Sequence, residues 1–137
     1  IQVFDFYDAS RHTEPAIKRA RKVSIVYPNT REIDTKKIPL NSNTVDIVFL
    51  LSAIHEIRSQ SEKEVFLKEC HRILKPGGQA VMVEHLRDLP NFLAFTIGFT
   101  HFFSKKTWET AFKSAGFSSC EEKKFTPFMS VFTASAE

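Results

Sequence analysis

The run Lys75-Pro76-Gly77-Gly78-Gln79, followed by Ala80-Val81-Met82-Val83-Glu84, constrains the fold more than any other stretch of the chain. Pro76 disfavours a helical conformation at Lys75, and the paired glycines let the backbone turn through positive φ at little steric cost. Arg72-Ile73-Leu74 therefore reads as the end of a helix. The apolar residues 80–83 that follow suit a strand covered on both faces, ending in an acid.

Upstream, Ser61-Glu62-Lys63-Glu64 reads as a capping box, in which serine and glutamate each satisfy an amide of the first helical turn. The helix it opens puts Phe66, Leu67, Cys70, Ile73 and Leu74 on one face and leaves His71 on the far, solvated side. Before it, residues 45–51 (Val-Asp-Ile-Val-Phe-Leu-Leu) make a strand too apolar to face water on either side. Residues 51–79 have the length of one right-handed strand-helix-strand crossover, so a parallel α/β sheet is expected. At the start, residues 1–6 suit a short strand, and a helix capped by Thr13 runs through Ala16, Ile17 and Ala20. A short extended piece lies at 31–34 and a turn at 38–43. Ser104 caps a later helix through Trp108, Ala111, Phe112 and Ala115, closed by Gly116. Residues 119–125 and 128–134, linked at Thr126-Pro127, form an antiparallel pair.

Composition narrows the class. The chain has 137 residues, enough for one domain with a real core. A net charge of +3 spread over short basic clusters does not make a nucleic-acid footprint. Cys70 and Cys120 give neither a metal spacing nor a disulfide framework, so two buried thiols in a reduced, cytoplasmic setting are expected. No membrane span or signal peptide is visible. The chain opens at Ile1 as if in mid-strand, and a longer parent polypeptide is expected.

The pattern resembles a class I S-adenosylmethionine (SAM)-dependent methyltransferase of the small-molecule branch, from that fold's second strand to its last. The resemblance rests on Ile1 to Asp5, on Asp34-Thr35-Lys36-Lys37-Ile38-Pro39-Leu40, on Asp46 to Leu51, on the Arg72 to Gly78 turn and on Ala115-Gly116-Phe117. It implies a three-layer Rossmann-like α/β fold whose mostly parallel sheet closes in an antiparallel hairpin. It also implies one domain over residues 1–137 that lacks the first strand and the glycine-rich donor loop. The implied cofactor is S-adenosyl-L-methionine. Asp5 would hold the ribose, with Asp8 as substitute, and Phe6, Asp34, Thr35, Leu51 and Ser52 would complete the nucleoside and methionine contacts. For Leu51, plain core packing stays open.

Methyl transfer needs a positioned acceptor and, for a hydroxyl or amine, a base. His55 and Glu56 after the fourth strand of that fold, and His85 at the end of the fifth beside Glu84, are the candidates at the rim. Pinning of loops by hydrogen bonds stays open for each. No metal site is expected: His55 and Glu56 are neighbours that should point apart, and no His-Glu-x-x-His is present. The phenylalanines at 92, 95, 99 and 102 form a stripe on a helix broken only by Gly98, with His101 as a core residue inside it. The stripe is a cover over an apolar or aromatic acceptor, ordinary packing, or a patch for a second subunit or a membrane surface. Expected partners are a small-molecule acceptor and a second copy of the chain, with neither nucleic acid nor stable membrane insertion. The alternatives are a truncated or degenerate fold serving as a non-catalytic subunit contact, and an NAD(P)-dependent oxidoreductase using Asp5 on a ribose.

Overall fold

The computed structural model describes the whole chain except the side chain of Ala16, so the expected place of Ala16 on a helix face lies outside the described residues. Twelve elements follow one another, with two 3₁₀ turns among the helices and strands. Strand β1 is Phe4–Asp5, shorter than the expected 1–6, and pairs in parallel with β2, Arg31–Glu32. Helix α1, Pro15–Val23, lies between them. Its N-cap is Glu14 without a side-chain bond, not Thr13. Pro15 suits the first turn, where a missing N–H costs nothing.

Strand β3, Val45–Leu51, has the expected bounds. Helix α2, Gln60–Ile73, begins two residues before the expected box: Ser59 is the N-cap and accepts from the amide of Glu62. Ser61 lies inside the helix, its hydroxyl 2.8 Å from that of Ser59, and Glu62 bonds Arg11 and Thr35. The helix ends at Ile73, and β4 runs over Leu74–His85, through the Pro-Gly-Gly segment. Gly77 takes φ +76°, and a Cβ at Gly78 would stand 2.9 Å from the Lys75 carbonyl and 3.0 Å from that of Asp46. Only glycine fits either position.

Helix α3 is Leu89–Phe95. The aromatic stripe breaks at Thr96, which has φ +50°, and not at Gly98; a 3₁₀ turn, Thr96–His101, continues from there. Helix α4, Lys105–Ser114, is capped by Ser104 as expected, and Gly116 beyond it has φ +100°. Strands β5, Ser119–Lys124, and β6, Met129–Ser135, form the antiparallel hairpin, and β6 inserts between β4 and β5. The order β3-β4-β6-β5 makes a mixed sheet, parallel at β3-β4 and antiparallel after it.

The core lies where α2 and α4 meet that sheet. Phe66, Leu67, Cys70 and Ile73 of α2 join Trp108, Ala111 and Phe112 of α4 over Ala80, Met82, Phe132 and Ala134. Burial lifts the Cys70 thiol to about 12 and the half-buried Cys120 thiol to about 11, so neither offers a thiolate near neutrality. His71 is only partly exposed: its ring meets Phe117 edge-on at 5.0 Å, beside Gly116. Strand β3 departs from the two-sided burial expected of it. Leu50 is buried, whereas Ile47, Phe49 and Leu51 are 48%, 62% and 62% exposed. Their alternation puts all three on one face, and among the described residues β3 has a partner only in β4.

Candidate active site

Two groups of side chains gather at the carboxyl ends of the parallel strands, where open α/β sheets bind ligands. The first is built around β4. Ala80, Met82 and Glu84 alternate onto its buried face, and Glu84 is fully buried. A carboxylate there must be hydrogen-bonded. Its partner is His55, in the 3₁₀ turn Ile54–Glu56 that follows β3: Nδ1 lies 2.8 Å from Glu84 Oε2, and the His55 amide donates to Oε1 at 3.4 Å. Burial alone would lower the pKa of His55. The hydrogen bond and charge of Glu84, then the charge of Glu56, outweigh it and raise His55 above the ordinary 6.5.

His55 and Glu56 do not point apart. Within the tight turn, His55 Nε2 stands 3.1 Å from Glu56 Oε1. The same oxygen lies 3.2 Å from Nε2 of His101, which therefore belongs to this polar cluster and not to the core. The break at Thr96 makes this possible, because the 3₁₀ turn carries His101 back to the rim. Arg58 Nη1 bonds the carbonyls of both His55 and His101, at 3.2 and 2.6 Å.

His85 is held differently. Its Nδ1 meets Asn91 Oδ1 at 3.1 Å and the Phe128 carbonyl at 3.0 Å. Two acceptors on one nitrogen fix the proton there, leaving Nε2 with its lone pair. The buried Phe102 ring stacks on His85 at 4.9 Å and turns its edge to His55 at 6.1 Å. Phe95 closes on both His85 and Phe102. The stripe thus lines this rim with aromatic carbon, and Phe92 and Phe95 are partly exposed beside it.

The second group surrounds an open cleft of about 560 Å³ after β1 and β2, lined by Phe6, Tyr7, Asp8, Glu32, Asp34 and Thr35 among others. Four of the residues named from sequence therefore share one cleft. Their polar atoms are already partly engaged. Asp34 Oδ1 accepts from the Lys36 amide at 2.7 Å, and the Thr35 hydroxyl donates to Glu62 Oε1 at 2.7 Å. Asp5 does not line the cleft: it accepts from the Tyr7 amide and pairs with Arg21, whose guanidinium lies over the Tyr7 ring at 4.2 Å. Asp8 binds the Ser10 amide and hydroxyl, and those bonds hold its carboxyl below the usual carboxylate range. Leu51 is not core, and Ser52 beside it takes φ +48° while its amide bonds Val83 O. The cleft has a size and character that suit a nucleoside, with aromatic walls at Phe6 and Tyr7 and carboxylates at Asp8 and Asp34.

His101 and Arg21 have parts here that sequence reasoning did not give them. Glu84 was legible: the period-two pattern from Ala80 through Met82 puts it on the inward face. His101 and Arg21 arrive through tertiary contacts that carry no local signal.

Comparison with known proteins agrees with this fold. The chain spans only 4% of a highly reducing polyketide synthase from Pyrenophora dematioidea, to which it is 29% identical over 104 residues, 66% of its own length. A SAM-dependent methyltransferase from Aquifex aeolicus superposes with a TM-score of 0.68 at 18% identity, over 98% of this chain and 67% of that one. Human N-acetylserotonin methyltransferase, solved in complex with SAM, gives 0.68 at 19% identity, over 99% of this chain and 40% of that one. Both likenesses establish the Rossmann-like methyltransferase fold. The sequence profile of the methyltransferase domain matches residues 7–82, which covers more than half of the chain and removes the oxidoreductase alternative. The chain belongs to the methyltransferase-domain family, the class I SAM-dependent methyltransferases, whose cofactor is S-adenosyl-L-methionine.

Proposed function

We propose that this chain takes part in SAM-dependent methyl transfer to a small, apolar or aromatic acceptor, with His55 as the proton acceptor and Glu84 as its positioning residue. The observation that carries the reading is the 2.8 Å contact between His55 Nδ1 and the fully buried Glu84. A carboxylate on Nδ1 fixes the proton there, so that in the neutral ring the lone pair sits on Nε2, on the rim side. Glu56 faces Nε2 and also His101. When an acceptor hydroxyl or amine takes Nε2, His101 remains as the partner of Glu56. After proton transfer, His55 is a cation between two carboxylates, which stabilises the charge it has gained.

S-adenosylmethionine supplies an electrophilic methyl group on its sulfonium when bound. Phe6, Tyr7, Asp8 and Asp34 are the residues of this chain that would hold its nucleoside, through stacking and hydrogen bonds to carboxylate oxygens. Asp5 joins them only if it exchanges Arg21 for the ribose. Leu51 and Ser52 stand at the end of β3, between this cleft and His55 in sequence. Phe95, Phe99 and Phe102 would pack an apolar acceptor beside His55 and keep water from the base. His85, tied by two oxygens on Nδ1, holds the ring stack in place.

The test follows labelled methyl from S-adenosylmethionine to a panel of phenols and aromatic amines, using the protein and its His55→Ala variant. Transfer falls by about 10²–10⁴-fold in the variant, while affinity for S-adenosylhomocysteine is retained. Equal loss of both would remove His55 from the chemistry.

A second reading, a methyltransferase fold that serves subunit contact, is favoured by the exposed Ile47, Phe49 and Leu51 on β3. It requires self-association that substitution of Phe49 by a charged residue abolishes, and no affinity for S-adenosylhomocysteine.

A further inference from the structure

We propose that His55, Glu56 and His101 form a binding site for a divalent transition-metal ion, zinc above all, whose capture takes Nε2 of His55 out of use. One ligating atom from each of the three lies within 4.8 Å of the other two. Glu56 Oε1 stands 3.1 Å from His55 Nε2 and 3.2 Å from His101 Nε2. Zinc–nitrogen and zinc–oxygen bonds of about 2.0–2.2 Å put neighbouring ligands of a tetrahedral ion roughly 3.3–3.5 Å apart. Two sides of the triangle are thus close to that geometry, and the third lies within 4.8 Å.

The placement of the cluster's nitrogens and oxygens also suits a cation. Both ring nitrogens of His55 face carboxylate oxygens, and His101 faces one of the same oxygens. A divalent ion would give the three ligating atoms of His55, Glu56 and His101 one centre to share. Two imidazoles and one carboxylate form a set that zinc accepts, with a fourth position left open.

The surroundings are those of a supported site. Glu84 takes the second nitrogen of His55, the carboxylate–histidine arrangement that orients metal ligands. Glu14 Oε1 lies 3.9 Å from Nδ1 of His101. Arg58 opposes a cation by its charge, but its guanidinium bonds the backbone carbonyls of both histidines and fixes their spacing. Glu56 and Glu84 together outweigh that single positive charge. The site itself is independent of methyl transfer; only its inhibitory effect rests on the base role of His55.

The probe is cobalt(II) titrated into the metal-free chain, read by visible absorption and by paramagnetic broadening of histidine ring resonances. One equivalent is expected, with broadening strongest at His55 and His101. His101→Ala and Glu56→Ala each weaken binding by more than tenfold, and Glu84→Gln by about 10–100-fold. Absence of the absorption band, or broadening centred on another histidine, overturns the site without need of a variant. Unchanged affinity in a folded His101→Ala chain does the same. With zinc in the transfer assay, binding accompanied by inhibition that chelator reverses supports both roles of His55. Binding without inhibition leaves the metal site standing and counts against the base.

Discussion

The two rims of this molecule are built in opposite ways. Around β4, a fully buried carboxylate, Glu84, orients His55, and the Phe102 ring packs against both His55 and His85. Around β1 and β2, the acids stand in an open cleft or beside it and spend their oxygens on local amides or on Arg21. The difference teaches which half is preorganised. On the proposed reading, a proton-transfer pair must be held at fixed geometry in a site of low dielectric, and the core made by α2, α4 and the four-stranded sheet would supply that support. A nucleoside would be recognised by exchange of hydrogen bonds that the open cleft now shares with its own chain.

Substitutions of the same kind on the two rims should therefore differ, and the largest difference is in rate. His55→Ala is expected to lower transfer by about 10²–10⁴-fold at unchanged affinity for S-adenosylhomocysteine. Asp34→Ala should do the reverse, weakening the nucleoside while leaving the rate at saturation within a few-fold. Parallel losses in both variants would erase the distinction.

Stability is next in size. Glu84→Ala leaves the ring and the amide of His55 without their buried partner, at a cost of about 1–3 kcal/mol, read from denaturant midpoints. Asp34→Ala, on the open side, should stay within about 0.5 kcal/mol. The smallest change separates Arg21 from Asp5. Their pair is partly exposed, so Arg21→Ala should cost no more than about 1 kcal/mol. If Asp5 exchanges Arg21 for the ribose, the same variant binds S-adenosylhomocysteine more tightly; weaker binding would assign Arg21 itself to the ligand.

Much of the scaffold was legible because it follows from local rules. The bounds of β3, the Ser104 cap, the Gly116 stop and the closing hairpin are set by alternation, capping hydroxyls and positive φ, all visible over a few residues. The errors fall at a cap and where distant groups meet. Ser59, two residues upstream, takes the cap expected of Ser61. Thr96, not Gly98, breaks the aromatic stripe, and that break delivers His101 to Glu56 across 45 positions. Of the site, His55, Glu56 and His85 at one rim and Phe6, Asp34 and Thr35 at the other were legible as strand-end residues. The inward face of Glu84 was available from alternation, whereas its pairing with His55 and the Asp5–Arg21 pair depend on tertiary contacts.

The most direct measurement is a nitrogen-15 NMR titration of the His55 ring in the presence of chelator, for the chain and its Glu84→Gln variant. Because Glu84 and Glu56 raise His55, its midpoint should lie above 6.5. The stability gained by that pairing is full below about 6.5, the unfolded value, and fades as pH rises through the higher folded one. In Glu84→Gln the ring stays buried without its main partner, so the midpoint should fall, and the neutral ring should lose its preference for a proton on Nδ1. A His55 that keeps the same midpoint and tautomer in both proteins would contradict the His55–Glu84 pair as the centre of this site.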